Sequence, residues 1–519
     1  MLSLLIWLPL IGAAVLGLLP NTLADQRFKQ TALLLSTGLI AITVWLLVQF
    51  DLSQSGLQFV ESFPWIEPLG LNYKLGADGL SLPLAALNSL LTWVAIYCSP
   101  PLTLRPRLYY AMILLVNAGV SGALLAQNLL LFFLFYEIEL IPLYLLIAVW
   151  GGSRRGYAAT KFLIYTAVSG ILMLAGFLGL AWLGEAPNFD YDAVQSTVST
   201  IPAGLQLVLI LILILGFGIK TPLVPLHTWL PDAYTEASPP VAILLGGVLA
   251  KLGTYGLFRF GWGLLPQAWT TLAPFLAAWA AIIVIYGALA AIAQTDIKRM
   301  VAYSSIAHMG YVLIGGAALT ELSIVGAVSQ MVAHGLILAL LFYLVGIVEA
   351  KVGTRELAAL NGLMSPVRGL PLTSALLVLG GMASAGIPGL VGFISEFLIF
   401  QGSYATFPWQ TLFCVVGTGF TAVYFVILLN RTCFGRLDNQ LAYYPKVLWS
   451  ERIPAMVLAV FILFLGVQPH WLVRWSEPTT AAMAKMTSVY ERSPHLFSLF
   501  TETQPSSNLA SQPWRETSI

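Results

Sequence analysis

Four ionisable residues, Glu137, Lys220, Lys251 and Glu396, stand inside stretches that are otherwise almost purely apolar and long enough to cross a membrane. A charge at the centre of a bilayer costs roughly 2.5 to 3.5 kcal/mol on insertion scales, so a charge kept there reads first as part of a path for ions or protons. Glu137 and Lys220 make a natural couple. Burial weakens the hold of an ammonium on its proton and a nearby carboxylate restores it, so a carboxylate that moves away can make the lysine release a proton. Lys251 sits too deep in its apolar run for its stem to reach the interface comfortably. His308 and His334 occur in adjacent apolar runs, and two imidazoles can relay protons at modest cost, although a buried histidine is often only a satisfied core residue. Glu396 is the last buried charge along the chain and reads as an exit site, with a cap on an interrupted helix as the alternative.

Other ionisable residues carry weaker expectations. Glu139 lies about 200° round a regular helix from Glu137, which points it to a subunit interface or to the lipid side. Asp78 reads first as a helix cap with Ser81. Asp232 and Glu236 read as loop-ordering groups, His227 as structural or relay with equal weight, and the pairs Arg154/Arg155 and Lys298/Arg299 as juxtamembrane anchors.

The elements that must hold these residues are apolar helices. Of 519 residues, 58% are hydrophobic and 9% charged, against about 25% charged in a soluble domain. Spans are expected near 2–19, 31–49, 80–98, 108–125, 127–149, 161–183, 204–221, 239–259, 271–292, 299–318, 322–348, 370–401, 408–430 and 452–470. The fold class is therefore all-α, a polytopic membrane protein of about fourteen transmembrane helices. The gap 50–79 and the other polar connections show no strand pattern strong enough for a second domain. The apolar start is read as a retained first span, since it lacks a basic leader region.

Basic residues collect on alternate connections: Arg27, Lys29, Arg105, Arg107, Arg154, Arg155, Lys298, Arg299, Lys351, Arg355, Arg368, Arg431, Arg436 and Lys446 fall on one side, Lys74 and Arg259 on the other. The first set is expected in the cytoplasm and both termini opposite. Two spans look broken. GFGIKTPLVPLHTWLPDAYTEASPP (216–240) packs prolines behind Lys220, and GIPGLVGFISEFLIF (386–400) places Pro388 and glycines before Glu396. Such breaks are tolerated at membrane depth where they are buried in protein or line a cavity, and in transporters they mark ion sites. They fall in spans seven and twelve, an odd separation, which fits two inverted five-helix repeats. The expected division is 1–107 (helices 1–3), 108–260 (4–8), 261–431 (9–13) and 432–519 (helix 14 and a polar tail).

A net charge of +1 argues against nucleic acid. Cys98, Cys414 and Cys433 are too far apart for a cluster motif, and no dinucleotide or phosphate-loop signature occurs.

With those residues in view, the chain resembles the antiporter-like membrane subunits of respiratory complex I over roughly residues 70–435. The segments that carry the likeness, in order, are LFFLFYEIELIPLYLL, GFGIKTPLVPLHTWLPDAYTEAS, LLGGVLAKLGTYGL, DIKRMVAYSSIAHMGY, QMVAHG and GIPGLVGFISEF. Glu396, where a lysine would repeat the first half, resembles subunit 4, the M or D type. YEIELIPLYLL and WGGSRRGYAATKFLIYTA are similar to the cyanobacterial and chloroplast form, and EASPPVAILLGGVLAKLGTYGL to its CO2-uptake variant.

The resemblance implies Glu137 and Lys220 as a coupled pair, Lys251 as the central protonatable residue, His308 and His334 as relay, and Glu396 as exit. It implies no cofactor on this chain, with plastoquinone and iron–sulfur clusters in partner subunits. Implied partners are the other subunits, notably the F/L-type and B/N-type ones, ferredoxin through the complex and a CO2-hydration protein, in a cyanobacterial thylakoid membrane with both termini lumenal. Competing expectations are a cation/proton antiporter subunit of the related bacterial type, and a scaffold that has lost transport.

Overall fold

The computed structural model describes residues 1–20, 24–101, 104–366, 369–437 and 444–491. Arg368 and the tail beyond 491, both weighed above, lie outside these residues. Helices dominate: α1 (Leu2–Leu18), α2 (Asp25–Gln49), α3 (Ser81–Cys98), α4 (Pro106–Leu125), α5 (Leu129–Ile138), α6 (Leu140–Trp150), α7 (Arg155–Leu183), α8 (Tyr191–Thr197), α9 (Ala203–Lys220) and α10 (Trp229–Glu236) form the first part. Then follow α11 (Pro239–Trp262), α12 (Pro266–Ile292), α13 (Ile297–Ala318), α14 (Glu321–Val352), α15 (Pro371–Ser384), α16 (Val391–Tyr404), α17 (Pro408–Thr432), α18 (Trp449–Val467), α19 (His470–Val473) and α20 (Glu477–Glu491).

Among the described residues, twelve continuous helical segments are long and apolar enough to span a membrane. The 17-residue α1 and the broken pair α15–α16 bring the expected fourteen crossings together.

Helix boundaries follow local chemistry. Pro106, Pro239, Pro266, Pro371 and Pro408 each open a helix, where the missing N–H costs nothing and the fixed φ suits the first turn. Asp296 caps α13 by accepting from the N–H groups of Lys298 and Arg299, and Thr320 closes a reciprocal cap on α14. The two breaks stand where proline and glycine forecast them: α9 stops at Lys220, and α15 gives way to α16 across 385–390. Span eight departs from a regular helix, since α11 contains two π-helical stretches, Leu245–Leu249 and Leu257–Trp262, on either side of Lys251.

The gap 50–79 forms no second domain but holds a hairpin that its sequence pattern does not announce. Gln58–Ile66 (β1) and Leu71–Ala77 (β2) pair antiparallel, with Phe63 opposite Tyr73 and Pro64 opposite Asn72. Gly70 turns the hairpin at φ +63, a conformation suited to glycine, and a Cβ there would lie 3.1 Å from the Asn188 backbone. Most of β1 is exposed, so burial imposes no alternation on it, and Pro64 weakens the strand signal further. The start of α20 covers this end of the bundle, with the Thr479 hydroxyl accepting from the Gly79 N–H and donating to the Ser55 carbonyl.

Candidate functional site: a buried polar axis

The chain of polar groups is clearest around Lys251. In a π-helical turn the backbone bonds skip an extra residue, and here the Gly246 carbonyl accepts from Lys251 Nζ at 2.5 Å. The same ammonium group lies 2.8 Å from His334 Nδ1 on α14. The His334 and His308 rings follow at 5.1 Å between centroids. His308 Nδ1 stands 3.6 Å from Glu396 Oε1, and its Nε2 lies 3.0 Å from the Ser384 hydroxyl, at the last residue of α15 before the second break. Lys251, His308, His334 and Glu396 are all 3% exposed or less, so these contacts are sealed from solvent. The structure thus brings Lys251, His334, His308 and Glu396 together in that spatial sequence.

Two uncharged groups complete this stretch and were not foreseen. Gln330, one helical turn before His334, places Nε2 3.2 Å from His308 Nδ1 while its carbonyl accepts from Ser395. Thr418 on α17 donates to Glu396 Oε2 at 3.3 Å and meets the Tyr311 hydroxyl at 3.0 Å. The sequence offers a faint signal for Gln330 only, as the polar member of QMVAHG.

At the other end the structure corrects the pairing. Lys220 bonds to Glu139, not Glu137, and Nζ also stands 3.4 Å above the Tyr136 ring. A desolvated cation over an aromatic face is worth about 2 kcal/mol. The Tyr136 hydroxyl is held by Ser169 at 2.7 Å, and Ser169 donates to the Gly216 carbonyl at 2.7 Å. Glu139 is fully buried, which also overturns its reading as a lipid-side group. Glu137 packs against Gly170 of α7 and feels the Lys220 charge without touching it.

The end of α9 meets α11 through backbone at Thr221 and Gly253, one residue after Lys220 and two after Lys251. A Cβ on Gly253 would fall 2.5 Å from the Thr221 hydroxyl and 3.0 Å from the Phe217 carbonyl. Only a glycine lets the end of α9 approach α11 so closely. No direct hydrogen bond joins the two lysine side chains.

The segment after Lys220 is clamped rather than loose. Asp232 on α10 accepts from Lys161 of α7 at 2.8 Å and from Arg299 of α13 at 3.1 Å. Glu236 accepts from the Arg154 N–H at 2.8 Å, Lys298 donates to the Ala237 carbonyl at 2.5 Å, and Arg355 donates to the Thr235 carbonyl at 3.2 Å. Arg154, Lys298 and Arg299 thus tie the broken span to its neighbours, and Lys298 is buried rather than a surface anchor, while Arg155 bonds only locally, to the Val149 carbonyl. His227 meets the Tyr286 hydroxyl at 3.1 Å, away from the Lys251 contacts.

Asp78 does more than cap. It accepts from the N–H groups of Leu80 and Ser81 and also pairs with Arg259, in the second π-helical stretch of α11. Burial pushes its carboxyl up, but Arg259 and those N–H donors outweigh it and leave the pKa below the usual range. The Arg259 Nε meets the Tyr255 hydroxyl at 3.2 Å.

Comparison with known proteins decides the family. Residues 126–421 match the transmembrane family described as NADH:quinone oxidoreductase/Mrp antiporter. The chain belongs to that family. It is 41% identical over 493 residues to the NAD(P)H-quinone oxidoreductase chain 4 1 of Synechococcus sp. (strain JA-2-3B'a(2-13)), covering 93% of this chain and 92% of that one. It is 37% identical over 522 residues to the chain 4 2 protein of Thermosynechococcus vestitus, covering 97% and 96%. Among solved structures, a chain of the respiratory complex I from Thermus thermophilus with bound NADH superposes with TM-score 0.85 at 27% identity, over 94% of this chain and all of that one. A chain of the Mrp complex from Dietzia sp. DQ12-45-1b shares the fold at TM-score 0.82 and 20% identity, over 94% of this chain and 98% of that one. Membership in the family and this fold make the chain an all-helical, multi-pass membrane protein of the antiporter-like type.

Proposed function

We propose that this chain moves protons across the membrane as a chain 4, D/M-type subunit of an NAD(P)H-quinone oxidoreductase. The observation that carries the reading is the line of closely spaced buried groups from Lys251 through His334 and His308 to Glu396, along which His334 Nε2 and Glu396 Oε1 have no hydrogen-bond partner. The relatives are named as chain 4 of that enzyme.

In this reading Lys220 is a cation with two possible carboxylates. It rests on Glu139, and Glu137 is the alternative partner on the α7 side. A shift between the two changes the field at Lys251, which lies behind the Thr221–Gly253 contact. Lys251 then gives its proton to His334, and His308 passes a proton on to Glu396. The division into helices 4–8 and 9–13, with Asp232 tying α7 to α13, belongs to the same proposal. So do lumenal termini, a thylakoid setting, plastoquinone reduction in partner subunits fed by ferredoxin, and a CO2-hydration protein as a partner.

The test is proton uptake by vesicles holding the intact complex. Lys251→Ala should lower pumping sharply at preserved assembly, and undiminished pumping would overturn the proposal. The shared fold with the Mrp complex chain keeps a cation/proton antiporter as a second reading. Sodium-dependent proton exchange without an electron donor would favour it.

A further inference from the structure

A cavity of about 600 Å³ opens between α2, α3, α14 and α18, away from the polar axis. Its walls are apolar: along α2 they run from Ile40 to Phe50, and Val332 and Leu336 of α14, with Phe461 of α18, close the far sides. The two hydroxyls it contains, Thr43 and Ser89, lie 3.0 Å apart, and the Leu39 and Ala85 carbonyls of their own helices stand within hydrogen-bond reach, so each O–H has an acceptor within the protein. They make no demand on an occupant.

The length and the mouth define what fits. Ten residues of helix rise roughly 15 Å, about half of the ~30 Å hydrocarbon thickness. A protein helix packed here would need the full thickness, whereas a lipid tail needs one leaflet. At the mouth stand Trp471, Arg474 and Trp475, the residue types that settle at the membrane interface. The Arg474 guanidinium lies 3.5 Å from the Trp471 ring and 4.3 Å from the Trp475 ring. Its Nε has no hydrogen-bond partner, and it forms no ion pair among the described residues. A guanidinium is built for bidentate contact with phosphate-like oxygens.

We infer that this cavity is a binding site for an anionic membrane lipid, its acyl chain seated between α2 and α14 and its headgroup held by Arg474. The site is independent of the proton path proposed above. It does touch the same helix, because Val332 and Leu336 stand two residues either side of His334. The tail therefore fills the back of the helix that carries the relay imidazole.

The test uses the intact complex in vesicles doped with phosphatidylglycerol bearing a photoreactive tail, against phosphatidylcholine with the same tail. Phosphatidylglycerol should label peptides containing Val332, Leu336 or Phe461 several-fold more strongly. Arg474→Gln should abolish that preference and Arg474→Lys should keep much of it. Ala86→Phe, which fills the cavity, should remove labelling by both lipids. Equal labelling by the two lipids, a preference that survives in Arg474→Gln, no labelling of these peptides, or a cross-link from this groove to a neighbouring subunit would each overturn the inference.

Discussion

Glu139 and Lys220 form the buried ion pair at the head of the polar axis, while Glu137, two residues earlier, is turned onto Gly170. The two carboxylates therefore answer different experiments. Removing one partner of a buried pair strands the other charge and costs about 3 to 5 kcal/mol. Glu139→Gln should reduce the thermal stability of this subunit within the complex. Glu137→Gln should leave stability close to the parent and lower proton pumping. Paired melting and pumping measurements check this, and equal stability losses would place both carboxylates in one structural role.

Gln330 bridges His308 and Ser395 with its two amide atoms. Gln330→Leu keeps the bulk, removes both contacts, and leaves His308 with one fewer group to orient it, a change of about 1 to 3 kcal/mol per buried partner left unmet. Pumping should fall several-fold. Gln330→Glu should alter its pH dependence instead, since a carboxylate would face the imidazole. Identical pH profiles in parent and Gln330→Glu would rule out contact with the relay.

The Asp232 clamp joins α7 to α13 through Lys161 and Arg299. These contacts are partly exposed, where each pair is worth about 0.2 to 1 kcal/mol. Asp232→Asn should thus assemble normally and weaken pumping without abolishing it. A double-substitution cycle with Lys161→Met and Arg299→Met should give non-additive effects, because the cations share one carboxylate. Strict additivity would show that they act separately.

Asp78 and Arg259 pin the second π-helical stretch of α11 to the entry of α3. Since the folded Asp78 carboxyl titrates below its ordinary value, its contribution is complete above the unfolded pKa of about 3.9. It is lost only as pH falls through the lower, folded value. Asp78→Asn should therefore destabilise the complex at pH 7 and show a smaller further loss than the parent as the pH falls below about 4. Melting curves across that range provide the check, and a parallel decline would remove Asp78 from the account.

The parts that were legible in the sequence share a cause. Lys251, His308, His334 and Glu396 stand out because ionisable groups in apolar spans are costly, and the two breaks stand out because proline and glycine interrupt helices. The role of Glu139 is not legible because the helical period says only that Glu137 and Glu139 face different sides, as they do, and not which of the two sides meets Lys220. Gln330 and Thr418 carry no net charge, so the cost argument is blind to them. The partners of Asp78, Asp232 and Glu236 lie as far off in sequence as Arg259 and Arg299, and nothing local in the chain announces such pairs.

The close approach of Thr221 to Gly253 also sets how this protein can drift. Along α11, Gly247, Gly253 and Gly256 each have a neighbouring atom within 2.5 Å of where a Cβ would stand. At Gly253, where the Thr221 backbone N also lies 2.7 Å away, even alanine would have to push α9 aside, and at Gly247 and Gly256 the Leu91 and Phe217 side chains would have to yield. A saturation library should find this seam nearly silent, with tolerated variants gathering on the lipid-facing sides of α2, α7 and α17. Descent with modification would then remodel the rim of this subunit while its centre stays spelled in glycine.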